Sequence, residues 1–111
     1  MMTSRRKNSI SRAASETSNK IMTVGVYALE KILYRGEASS VNCPTQDGEI
    51  TILDHHRPLI SLLKNGVIKI LDKSGETKYI SVASGFLEVQ PQGRVKILLS
   101  GSGDYGTSSR I

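Results

Sequence analysis

Cysteine is nearly absent from this chain: Cys43 is the only one in 111 residues. A lone thiol cannot close an intrachain disulfide or supply a cysteine-based zinc cage. That usage fits a reducing compartment. Long apolar runs are missing too, with nothing approaching the roughly 18 residues that a membrane helix requires. If the protein meets a membrane, it does so through a partner. The first 20 residues lack the apolar central region of a secretory signal. No segment carries a helical period, and no credible nucleophile–base or metal-ligand set is present, which ranks an enzyme last among the function classes.

Charge is also scarce where it would matter most. The formal net charge is +5. Residues 1–20 hold Arg5, Arg6, Lys7, Arg12 and Lys20 against Glu16 alone, or +4, so the other 91 residues carry only +1. The high pI thus belongs to a tail, and a nucleic-acid groove in the folded part is disfavoured, because such sites are clustered basic surfaces. This tail, rich in Ser, Thr, Asn, Arg and Lys, cannot bury enough apolar surface to offset its ordering entropy, and reads as a disordered extension. A basic, Ser-rich, acid-poor composition also fits an organelle transit peptide.

What is present is period-two alternation between turn signals. From Ile21, Met22, Val24 and Val26 alternate with Thr23, Gly25 and Tyr27. Leu29 to Tyr34 is a short segment ending at an Arg35-Gly36 turn. Val41 and Cys43 face inward from a strand over Glu37 to Cys43, and a loop over Pro44-Thr45-Gln46-Asp47-Gly48 follows. Ile50 and Ile52 mark the next strand. After the polar loop Asp54-His55-His56-Arg57-Pro58, Leu59 to Leu63 leads to Asn65-Gly66, a pair suited to a tight hairpin turn. Val67 to Leu71, Thr77 to Ala83, Phe86 to Gln90 and Arg94 to Leu99 then form a meander. In it Ile80 and Val82, Leu87 and Val89, and Val95, Ile97 and Leu99 fill one face. That face needs a second layer, since a single sheet cannot bury its own apolar side. The reading is all-β: a flattened antiparallel β-sandwich or barrel of about eight to ten short strands over residues 21–99. Residues 100–111 form a flexible, linker-like tail.

Possible chemical constellations weaken on inspection. Adjacent His55 and His56 point in opposite directions on an extended segment and lack third and fourth ligands nearby, so a solvated or contact loop is favoured over a metal site. Asp47 and Glu49 flank Gly48 in a turn with no nucleophile beside them. Gly85 and Gly93 read as turn glycines, because no Gly-rich run opens a helix. Cys43 reads as a small core residue.

Three series carry a family resemblance. They are Glu30-Lys31-Ile32-Leu33-Tyr34-Arg35-Gly36-Glu37, Val41 through Leu53 with Asp47-Gly48-Glu49 inside it, and Arg57-Pro58-Leu59-Ile60. With Leu63 to Ile70 and Ser84 to Pro91, they resemble the N-terminal domain of the epsilon subunit of rotary F-type ATP synthases, called delta in mitochondria. The resemblance implies a ten-stranded β-sandwich in the central stalk, turning with the gamma subunit and the c-ring, one copy per complex. It implies no catalytic residue, no cofactor and no metal, and transmission of torque between proton flow and ATP synthesis. It places Asp47, Gly48, Glu49 and His56 at the c-ring, and offers Leu59, Ile60 and Val67 as gamma contacts, although alternation lets only some of these three face outward. The implied location is peripheral, on the cytoplasmic face of a bacterial inner membrane, or on an organelle inner or thylakoid membrane if the extension is a transit peptide.

The sequence departs from the family in three ways. Many relatives have Pro-Gly-His-Ala-Pro where this chain has Asp54-His55-His56-Arg57-Pro58. Many continue into a C-terminal helical hairpin that can inhibit ATP hydrolysis, which the twelve residues from Ser100 cannot form. The basic extension is also longer than usual. A second expectation is a stand-alone small β-sandwich binding module, its basic tail touching an acidic partner or anionic lipid.

Overall fold

The computed structural model describes residues 21–100 and 107–109, so the expected basic extension lies outside the described residues. Among the described residues there are nine strands and no helix. They are β1 (Met22–Ala28), β2 (Lys31–Thr45), β3 (Gly48–Ile52), β4 (Leu59–Leu63), β5 (Gly66–Asp72), β6 (Thr77–Val82), β7 (Ser84–Gln90), β8 (Arg94–Ser100) and β9 (Thr107–Ser109). The hydrogen-bonded path runs β1-β8-β7-β4-β2-β5-β6-β9, with β3 also on β2 and β1 closing back onto β2. All pairs are antiparallel except β1 with β8.

The long strand β2 joins two layers. Its first half pairs with β1, its middle with β5, and its last residue, Thr45, with Leu63 of β4. One layer is β1-β8-β7-β4; the other is β3-β2-β5-β6-β9. Between them lies a single core that includes Met22, Val24, Val26, Val41, Cys43, Ile52, Leu63, Ile68, Ile70, Ile80, Leu87 and Ile97. The alternation that predicted the inward sets of β1, β6, β7 and β8 matches this core residue by residue. Each fully buried aliphatic side chain contributes about 1.5–3 kcal/mol of transfer free energy, so the core is the main source of cohesion. Burial pushes the Cys43 thiol up to about 12, and the residue packs as a small hydrophobe.

Several local turn signals are overridden. Arg35 and Gly36 are no turn: they lie inside β2, opposite Gly25 and Val24 of β1. Pairing with β1 turns two expected segments into one strand of 15 residues. The strand also runs on through Pro44 and Thr45 rather than ending in a loop, with the Pro44 carbonyl accepting from Lys64 N at 2.9 Å. Asn65-Gly66 is not a hairpin turn either, because β4 pairs with β7 and β5 pairs with β2 and β6. The chain crosses there between layers, and Gly66 is small because a Cβ would lie 2.9 Å from the Pro44 ring. Gly85 sits inside β7 and is buried, so only Gly93, with φ +70°, is a turn glycine of that pair. The tail expected to be linker-like contributes β9. A three-residue ladder on an open sheet edge needs backbone groups rather than apolar side chains.

The β5–β6 hairpin is organised by Asp72. Its Oδ1 accepts from Ser74 N (2.9 Å), Ser74 Oγ (2.7 Å) and Glu76 N (3.0 Å). The Ser74 bonds, with help from Glu76, hold the Asp72 carboxyl below its ordinary value of 3.8. A depressed folded value means stabilisation that is present above the ordinary value and lost as pH falls through the folded one. Asp72→Ala should therefore lower the melting temperature at pH 7, and the gap from wild type should shrink as pH falls below about 4. Thermal melts across that range test this; a constant gap contradicts it.

Candidate interaction surfaces

The Asp47–Glu49 turn is built from beneath by Thr45, which is buried. Its Oγ1 donates to the Gly48 carbonyl at 2.6 Å and accepts from Asp47 N at 3.1 Å. Gln46 N donates to the Leu62 carbonyl at 3.0 Å, tying the turn to β4. Gly48 has φ +116°, a conformation that only glycine adopts at little cost. The result is a braced tip from which the Asp47 and Glu49 carboxylates project into solvent.

His56 is elsewhere. Its N–H donates to the Leu53 carbonyl (2.9 Å) and its Nδ1 to the Arg57 carbonyl (2.8 Å), within the loop that follows β3. Four residue steps along β3 separate Gly48 from Ile52, about 13 Å at strand rise. The expected group Asp47, Gly48, Glu49 and His56 is thus split between the two ends of β3. Asp54 and His55 approach to 3.5 Å, and Asp54 leans toward Gly93, where a Cβ would lie 2.9 Å from its Oδ1. Among the described residues no three His, Cys, Asp or Glu side chains are placed to share a metal ion.

The expected apolar group is divided as well. Leu59 is half-buried and packs on the core, while Ile60 is 75% exposed. Val67 is 38% exposed, but on β5, in the other layer. What surrounds Ile60 was not anticipated. Leu62 pairs with Phe86, Phe86 with Leu98, and Leu98 with Tyr27, a row across four neighbouring strands. Leu62, Phe86 and Leu98 are 45%, 50% and 44% exposed. The next row sets Ile60 opposite Glu88, and Glu88 opposite Lys96. Contiguous exposed apolar side chains of this kind make the row a candidate contact surface. The available signal was a large apolar residue on the solvent phase of an alternating strand: Phe86 shares its phase with Glu88 and Gln90.

Comparison with known proteins decides the family. A family model described as "ATP synthase, Delta/Epsilon chain, beta-sandwich domain" matches residues 21–101. The chain belongs to this family. The match takes in β1 to β8 and ends before β9. An ATP synthase epsilon chain of Bordetella petrii is 43% identical over 77 residues, covering 69% of this chain and 54% of the relative. One of Alkalilimnicola ehrlichii is 34% identical over 68 residues, covering 61% and 49%. The chain therefore spans about half the length of these ATP synthase epsilon relatives. A solved chain in the Euglena gracilis mitochondrial ATP synthase superposes with TM-score 0.68 at 17% identity, covering 72% of this chain and 51% of that one. One in the Tetrahymena thermophila central stalk and c-ring gives 0.60 at 18%, covering 72% and 63%. The delta/epsilon sandwich fold is thus shared well beyond recognisable sequence.

Proposed function

We propose that this chain is a non-catalytic rotor subunit of a proton-translocating F-type ATP synthase, joining gamma to the c-ring and coupling proton flow to ATP synthesis. The observation that supports the reading is a delta/epsilon sandwich with two distinct surface features: an exposed apolar row on β4-β7-β8 and a braced acidic tip. The row, extended by Ile60 and supported from below by Leu59, is assigned to gamma. Val67 lies on the other layer and would contribute only where gamma wraps the edge. The tip Asp47-Gly48-Glu49 is assigned to the polar loops of the c-ring. His56 joins that contact if the ring lies along β3 rather than at one end of it. Membrane attachment comes through the complex, on the cytoplasmic face of a bacterial inner membrane or on an organelle membrane.

The test separates the two features. Asp47→Lys with Glu49→Lys, both solvent-exposed, should leave capture by a gamma-containing subcomplex within about twofold. The same variant should weaken attachment to the isolated c-ring by about tenfold, since reversing charges at a complementary contact is costly. Equal c-ring attachment by wild type and variant overturns the tip assignment. Failure of the wild-type chain to bind gamma, with binding to anionic vesicles instead, favours the stand-alone module.

A further inference from the structure

Strand β9 is held by a ladder of three pairs: Lys78 with Ser109, Tyr79 with Ser108, and Ile80 with Thr107. The opposite side of β6 makes six pairs with β5. The edge beneath β9 is therefore a full strand covered over half its length. An open edge carries unpaired N–H and C=O groups and accepts any extended strand of suitable register.

The edge of β6 is also complementary to itself. An antiparallel two-fold pairing centred on Tyr79 sets Tyr79 opposite Tyr79 of a second copy. Lys78 then faces Ile80, and Thr77 faces Ser81, so no like charges oppose one another. Ile80 and Val82 are buried beneath this edge while Tyr79 points outward, so an aromatic cross-strand pair would form on the outer face. We propose that Thr107–Ser109 is an internal strand cap, and that the edge it covers is a dimerisation site for a second copy of this chain. The segment 101–106 links β9 covalently to β8, and such a connection gives the cap an effective concentration in the millimolar range. At micromolar protein the cap wins and the chain stays monomeric. This proposal is independent of the rotor reading.

Ser108→Pro in the full chain removes an N–H from the cap and fixes its φ, disfavouring the β9 ladder without touching β1 to β8. Sedimentation velocity between about 10 and 200 μM should show a monomer for the wild type. For Ser108→Pro it should show a dimer constant tighter by about tenfold or more. Adding Tyr79→Lys to that variant sets lysine against lysine across the two-fold axis and should restore the monomer. A chain ending at Ser100 should dimerise as Ser108→Pro does. The proposal is overturned if Ser108→Pro and the shortened chain remain monomeric with native circular dichroism, or if the dimer survives Tyr79→Lys. It is equally overturned if both cap variants lose β structure, since the segment would then belong to the fold rather than cover it.

Discussion

Phe86→Asp should weaken binding to a gamma-containing subcomplex by about 30- to 1,000-fold, the range for a central aromatic anchor worth 2–4 kcal/mol. The folded chain should barely notice. Phe86 is half-exposed and contributes nothing to the core, so the stability cost stays within about 1 kcal/mol, the span of strand preference. Calorimetric titration beside a thermal melt measures both quantities on one sample. Val67→Asp provides the internal control, because it makes the same chemical change on the other layer and should cost less than about tenfold. If Val67→Asp proves the more damaging substitution, the gamma surface belongs on β5 and the assignment of the β4-β7-β8 row is wrong.

The contrast between those two residues shows where sequence reasoning reaches and where it stops. Alternation within one strand is a local property, and it placed Met22, Val24 and Val26, Leu87 and Val89, and Val95, Ile97 and Leu99 inside correctly. The acidic tip was legible for a similar reason, since Asp-Gly carries its own conformational instruction and Gly48 takes the positive φ it implies. The apolar row was not legible. Leu62, Phe86 and Leu98 come from three strands, and only the register of β4 with β7 and of β7 with β8 makes them neighbours. Turn signals failed where distant pairing outweighed them. Arg35-Gly36 is straightened by β1, and Asn65-Gly66 is drawn into a crossing because β5 finds its partner in β2. Gly66 reports crowding against the Pro44 ring rather than curvature, a distinction that needs the neighbouring strand.

Gly85 carries that distinction to its largest expected effect. The residue lies between Leu63 of β4 and Leu99 of β8, with φ outside the positive region, so an added Cβ meets no conformational strain of its own. It meets matter instead: it would overlap the Leu98 carbonyl oxygen and lie 3.1 Å from the Leu99 Cα and 3.2 Å from the Leu99 Cδ2. Two of these atoms are backbone held in a ladder, and they cannot rotate away. Gly85→Ala should therefore cost about 3 kcal/mol, a large share of the 5–15 kcal/mol that a domain possesses, and Gly85→Val should leave the chain largely unfolded at 37 °C. Gly75→Ala is the opposite case. Its φ of +97° makes a side chain unfavourable, but nothing lies within 4 Å, so the cost is that of the backbone alone, about 1–2 kcal/mol. Urea titration of the two alanine variants should rank them in that order; the reverse order would show that the β7–β8 ladder yields easily. Because Gly85 precedes Phe86 in the same strand, any yielding there shifts the register that aligns Leu62, Phe86 and Leu98. Gly85→Ala should thus lose melting temperature and gamma binding together, whereas Phe86→Asp loses binding alone. That pairing separates damage to the surface from damage to the scaffold that presents it.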